Sequence, residues 1–248
     1  MIRKMKLTLP VIVVAAFALG ACQGMESNKA GAKKETSMHK EVVTSEKQKA
    51  LTPEQVVADF KSGNERFVKG ELWHRDHLSM AKATASGGQF PKAAIISCVD
   101  SRVPVEYVLD QGIGDVFVGR VAGNFVDTGL LGSLEFATKV SGSKVVLILG
   151  HESCGAVKAA IDDVKLANIT GMLEYIKPAV SASGDYKGDK TSANAEFVSI
   201  VVEENVRQTI AKIRQESPIM REMEEKGEIK IIGGVYDLDT GKINFIES

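Results

Sequence analysis

Two runs of the chain are apolar at every position rather than at alternate ones: Ala93-Ala94-Ile95-Ile96 and Val145-Val146-Leu147-Ile148-Leu149. An unbroken run of this length fits a strand buried on both faces, and such strands belong to parallel sheets covered by helices on each side. Shorter strands are expected at 116–118 and 229–235, and helical patterns at 128–140, about 154–164 and 194–215 lie between the runs. Strand and helix therefore alternate, which predicts an α/β fold with a central, largely parallel sheet. The turn Asp237-Leu238-Asp239-Thr240-Gly241 leads into a last apolar run at 243–246, expected to be a returning edge strand. Upstream, Thr52-Pro53-Glu54-Gln55 has the form of a capping box with proline at the first helical position, and it predicts a helix over 53–69 stopped by Gly70.

The N-terminus reads differently. Arg3, Lys4 and Lys6 precede an apolar stretch from Leu7 to Leu19, too short for a membrane span. It ends in Leu19-Gly20-Ala21-Cys22 and resembles a bacterial lipoprotein signal. The resemblance implies removal of residues 1–21, lipid on Cys22, and a periplasmic protein held on a membrane, the outer one favoured because Gln23 follows the cysteine. Residues 22–50 are polar and without aromatics, and they are expected to form a flexible tether including His39. That leaves 51–248 as the folded domain, an arm helix followed by the sheet. Losing residues 1–21 removes three positive charges and no negative one, so the net charge moves from −1 to −4. A mildly acidic chain gives no reason to expect a nucleic-acid partner.

With Cys22 set aside, two cysteines remain. Cys98 follows the first apolar run directly, in Cys98-Val99-Asp100-Ser101-Arg102. Cys154 closes His151-Glu152-Ser153-Cys154, and His151 follows the second run. In an oxidising compartment the two thiols could form a disulfide. The histidine three positions before Cys154 and the carboxylate two after Cys98 favour a metal instead: two thiolates and an imidazole are a ligand set for zinc that leaves one position for chemistry. The carboxyl ends of neighbouring parallel strands line a shared crevice, so Cys98 and His151 are expected to meet there. Of the other histidines, His74 and His77 flank Asp76 in a polar stretch expected to be solvated, and Glu152 is expected to face outward.

These two motifs, together with Arg120-Val121-Ala122-Gly123-Asn124, Leu134-Glu135-Phe136 and Gly234-Val235-Tyr236, resemble the β-class carbonic anhydrases over about residues 52–248. The resemblance implies one zinc ion per chain on Cys98, His151 and Cys154. The fourth place goes to water or to Asp100, which pairs with Arg102 when off the metal. It implies reversible hydration of carbon dioxide to bicarbonate by zinc-bound hydroxide, with Asp100 and Arg102 catalytic. Gln89, Phe117, Ala122, Phe136 and Gly155 fall where the family contacts substrate, and a homodimer or homotetramer is implied. One branch of the family shuts down on bicarbonate through a pocket that needs a tryptophan three residues before the first cysteine. Ile95 stands there, so that response is expected to be absent or weak. Two rival readings use the same residues: hydrolysis of a sulfur analogue such as carbon disulfide, and a non-catalytic zinc- or bicarbonate-binding lipoprotein.

Overall fold

A computed structural model of the protein describes residues 38–246. The N-terminal apolar segment, Cys22 and the first part of the expected tether lie outside the described residues. In chain order the elements are α1 (Ser45–Ala50), α2 (Pro53–Lys69), α3 (His77–Gly87), β1 (Ala93–Ser97), α4 (Val105–Val108), β2 (Val116–Arg120), α5 (Thr128–Glu135), β3 (Val145–His151), α6 (Gly155–Ile161), α7 (Ala167–Leu173), α8 (Lys177–Ala182), α9 (Ala195–Glu216), α10 (Pro218–Glu225), β4 (Lys230–Tyr236) and β5 (Ile243–Ile246). A π-helical turn, Phe136–Val140, follows α5 directly, so the expected helix over 128–140 is one continuous body with a change of pitch.

The strands form one sheet in the order β2-β1-β3-β4-β5, parallel throughout except for the final β4–β5 pair. β1 and β3 occupy the interior and every residue in them is buried, which is why their sequences do not alternate. Alternate side chains still divide between the faces. Ala94, Ile96, Val146 and Ile148 pack with Val206 and Ile210 of α9 and with Met220 of α10. Ala93, Ile95, Val145, Leu147 and Leu149 meet Val56, Val57 and Phe60 of α2 and Val105 and Val108 of α4. Each such large side chain contributes about 1.5–3 kcal/mol by leaving water.

α2 runs as expected. The Thr52 hydroxyl accepts from Gln55 N, the Gln55 side chain accepts from Thr52 N, and Gly70 closes the helix at φ 70°. Two residues fix its seat. A Cβ on Gly63 would lie 2.0 Å from the Leu109 carbonyl oxygen, so only glycine lets the backbones approach this closely. Asn64, buried, donates to the carbonyls of Val108 and Gly241 at 3.1 and 2.9 Å and accepts from Ile243 N at 2.8 Å. Gly63→Ala is expected to push α2 off α4 and lower stability by about 1–3 kcal/mol in denaturant unfolding; an unchanged midpoint would contradict this packing.

Structure begins earlier than the expected boundary at 51. Residues 45–50 are helix α1, not tether, and buried Gln48 donates to the carbonyls of Pro91 and Ser141 at 2.8 and 2.7 Å. His39 is also placed: its backbone bonds His74 and Asp76, and its ring lies 4.9 Å from Trp73. The polar stretch around His77 opens helix α3, with Asp76 as its cap accepting from Ser79 N at 3.0 Å. Below it, Asp110 is 1% exposed at its side chain, stands at φ 49°, and pairs with both Arg66 and Arg75. The guanidiniums of the same two arginines lie 4.3 and 5.4 Å from the Trp73 ring centre.

Candidate metal centre

Because β1 and β3 are parallel neighbours with Ser97 level with Leu149, both chains leave the sheet at the same edge. Cys98 and His151 therefore emerge side by side, the crevice expected at strand carboxyl ends. Ser153, at φ 52°, turns the chain back so that Cys154 becomes the first boundary residue of α6. The two sulfurs are 4.0 Å apart and unbonded, so the disulfide alternative is not realised. Cys98 Sγ, a ring nitrogen of His151 and Cys154 Sγ all lie within 4.8 Å of one another, and all three residues are buried.

The donor chemistry suits a cation. His151 Nδ1 is 2.8 Å from the Glu152 carbonyl oxygen, which assigns the ring proton to Nδ1 and leaves a lone pair on Nε2. Nε2 is buried and has no hydrogen-bond partner among the described residues. A buried polar atom without a partner costs about 1–3 kcal/mol, so this nitrogen is in want of a ligand. The sulfurs share a proton: the Cys154 thiol, with help from His151 and the Gly123 N–H, pulls Cys98 well below the ordinary thiol range, while Cys98 and burial push Cys154 up. A divalent ion in place of that proton would be met by two thiolates and a neutral imidazole, a set that matches zinc.

Asp100 stands beside this trio rather than in it. Arg102 grips its carboxylate with Nε on Oδ1 at 2.9 Å and Nη2 on Oδ2 at 2.8 Å, and the Arg102 backbone N–H adds a third bond. Arg102 holds the carboxyl far below the usual range against the opposing effect of burial, so it is an anion. Oδ2 is still only 3.8 Å from His151 Nε2 and faces the same small volume. Of the two places expected for Asp100, the structure shows the one on Arg102. Arg120, level with Ser97 at the end of β2, donates to the carbonyls of Cys98 and Asp100 at 2.9 and 2.6 Å and so fixes the backbone between ligand and carboxylate. Glu152 turns away toward Asp237 and Asp239; burial and those two carboxylates push its own carboxyl up.

The expected substrate wall is only partly assembled. Ala122 precedes Gly123, whose N–H reaches Cys98 Sγ at 3.4 Å, and Gly155 follows Cys154, so both border the centre. Phe117, Phe136 and Gln89 do not. The two rings meet edge to face at 6.3 Å between centres and line a groove of about 440 Å³ on the β2 side of the sheet, and none of the metal-site residues lines it. Phe117 is level with Ala94, low on β1. Gln89 is exposed and precedes β1, at the opposite end from Cys98 of a strand about 16 Å long. Within one chain these three are remote from the donors: eight residues, five of them strand β1, carry Gln89 away from Cys98, and Phe136 packs on Phe117, level with Ala94.

Comparison with known proteins shows the family to which this chain is similar. Residues 93–243 match the family model described as carbonic anhydrase. Carbonic anhydrase 2 of Mycobacterium tuberculosis is 36% identical over 187 residues, covering 73% of this chain and 87% of that protein. The carbonic anhydrase of Pseudomonas aeruginosa is 29% identical over 195 residues, covering 76% and 87%. Among solved structures, a β-carbonic anhydrase of Aspergillus fumigatus superposes with a TM-score of 0.60 at 25% identity, covering 78% of this chain and 90% of that one. The Coccomyxa β-carbonic anhydrase bound to acetazolamide gives 0.59 at 25% identity, covering 79% and 86%. With its parallel sheet, its paired cysteines and histidine at adjoining strand ends, and these relatives, the chain belongs to the β-class carbonic anhydrase family.

Proposed function

We propose that the protein hydrates carbon dioxide reversibly, to bicarbonate and a proton, with one zinc ion held by Cys98, His151 and Cys154. The observation that carries this reading is the unpartnered Nε2 of buried His151, facing two sulfurs and an ionised carboxylate. Zinc bound there would be the Lewis acid that makes water a nucleophile; with two thiolates the site is less electropositive than one of three imidazoles, so activity is expected to rise above neutral pH. The protein's own groups do the rest. The Glu152 carbonyl fixes the imidazole tautomer. Arg102 keeps Asp100 charged, and Arg120 fixes the backbone that carries it. Asp100 Oδ2 then accepts a hydrogen bond from the attacking oxygen and aims its lone pair, the kind of orientation that lowers a barrier without new covalent chemistry. Gly155, where a Cβ would meet nothing within 4 Å, leaves room next to Cys154 for a small apolar substrate, and Ala122 adds only a methyl group.

The test is stopped-flow hydration with Asp100→Ala alongside the unaltered protein and metal content measured on both. The expected result is a fall of about 10²-fold or more in kcat/KM at unchanged metal content. Wild-type kcat/KM in the variant would overturn the role of Asp100, and faster turnover of carbon disulfide than of carbon dioxide would move the substrate to the sulfur analogue. Bicarbonate-driven shut-down should also be absent or weak, leaving only shallow product inhibition through a bicarbonate series. Ile95, fully buried in β1, stands where a bicarbonate-binding tryptophan would be needed. Steep, cooperative inhibition would contradict this.

The same reading includes a homodimer or homotetramer. Phe136 is 52% exposed and Gln89 is open to solvent, beside β2, whose outer edge pairs with no strand among the described residues. Wall residues remote from their own chain's Cys98 can serve another copy's. It also includes lipid on Cys22 and residence on a periplasmic membrane surface, supported by the Leu19-Gly20-Ala21-Cys22 sequence after its apolar run.

A further inference from the structure

The Cys98 sulfur is held by a chain of contacts that begins on a distant helix. Past the end of β2 the backbone continues the ladder, with Val121 N bonded to Ser97 O at 3.0 Å. It then turns at Gly123, φ 86°, whose N–H points at Cys98 Sγ from 3.4 Å. Glycine is favoured there by that positive φ, and a Cβ would also crowd Ile176 Cδ1 at 2.4 Å. Glycine is also the residue about which the loop is freest to rotate, so something else must hold its orientation. That group is Asn205 of α9, 1% exposed, whose Nδ2 donates to the Gly123 carbonyl at 2.8 Å. Its neighbours on the helix, Val201, Val202 and Val206, are buried and apolar. An amide in such a stripe costs free energy unless its hydrogen bond is made.

We infer that Asn205 is a positioning residue for the metal centre: by anchoring Gly123 it keeps an N–H donor on the Cys98 sulfur. The inference rests on Cys98 being a metal ligand, as proposed above. An N–H directed at a thiolate stabilises its lone pairs and fixes the direction from which sulfur meets the ion. Partners of this kind commonly hold a ligand's share of metal affinity.

The test uses the full-length protein loaded with cobalt(II), comparing Asn205→Leu with Ile213→Val, a buried change two turns along the same helix. Asn205→Leu is expected to raise the metal dissociation constant by about 10- to 100-fold in chelator competition. It is also expected to move the sulfur-to-cobalt charge-transfer band to longer wavelength, because a thiolate stripped of its donor gives up electron density more readily. Ile213→Val should lower thermal stability and move neither. Asn205→Leu with the band and the affinity of the unaltered protein would overturn the inference. If that variant does not fold, Asn205→Ala removes the donor with less bulk and is read in the same way. If neither folds, the unaltered protein loaded with cadmium-113 decides: scalar coupling between the metal and the Gly123 amide proton supports the contact, and its absence overturns it. An unaltered protein whose cobalt spectrum lacks any thiolate band would remove Cys98 from the ligand set and the inference with it, a result distinct from a failure of Asn205 alone.

Discussion

Replacing His151 by alanine is expected to leave a folded protein that retains little metal and hydrates carbon dioxide no faster than background. The ring is fully buried, its Nδ1 is engaged by the Glu152 carbonyl, and its Nε2 has no partner among the described residues. Alanine removes that orphaned nitrogen together with the ring, so the metal-free fold loses packing and sheds an unsatisfied group, and the two effects oppose each other. The metal-loaded state proposed above loses one of its three protein ligands outright. Metal content should fall from one ion per chain toward none, and kcat/KM by at least about 10⁴-fold, given that enzymes commonly gain 10⁶-fold or more over the uncatalysed rate. Stripping metal from the unaltered protein should lower its melting temperature, since an ion that binds only the folded state stabilises it; the same treatment should leave His151→Ala unmoved. Full metal content and activity in the variant would remove His151 from the site.

Asp110→Asn is expected to have the largest effect on the fold. Asparagine matches aspartate in size and tolerates the left-handed backbone at φ 49°, so the change isolates the charge. Arg75 and Arg66, 6% and 18% exposed at their side chains, are then left facing a neutral amide. Removing one partner from a buried ionic cluster costs about 3–5 kcal/mol, or roughly 6–20 °C in melting temperature for a domain of this size. The pH dependence has a fixed sign. Burial pushes the Asp110 carboxyl up, but its bonds to Arg75 and Arg66 outweigh that and set it below its ordinary value. The stabilisation is therefore complete above the unfolded-state value of about 3.9 and is lost as pH falls through the lower folded one. The gap between variant and unaltered protein should narrow at acid pH; a gap that widens there would contradict the assignment.

The cluster around Asp110 shows what the sequence leaves hidden. β1, β3 and α2 were legible because periodicity and capping are local, Cys98 and His151 because each sits where a recognisable strand stops, and Cys154 because it lies three positions past His151 at the start of a helix. The three ionic partners lie 35 and 44 positions apart, with nothing local to link them. α1 escaped for a related reason: it docks through the amide of Gln48, which no hydrophobic pattern announces. Arg120 and Asn205 donate from their side chains to backbone carbonyls and Gly123 donates its own N–H, so their residue types alone do not signal the sulfur and the carboxylate they serve. Gln89, Phe117 and Phe136 were placed by family position, and a single chain does not carry them to the metal.

Asn64 binds the loop before β5 and the first residue of that strand, 177 and 179 positions further along the chain. The C-terminal hairpin thus takes its register from a side chain near the start of the domain. Closing so large a loop is slow, so seating the last strand joins two parts of the chain that local contacts alone cannot bring together.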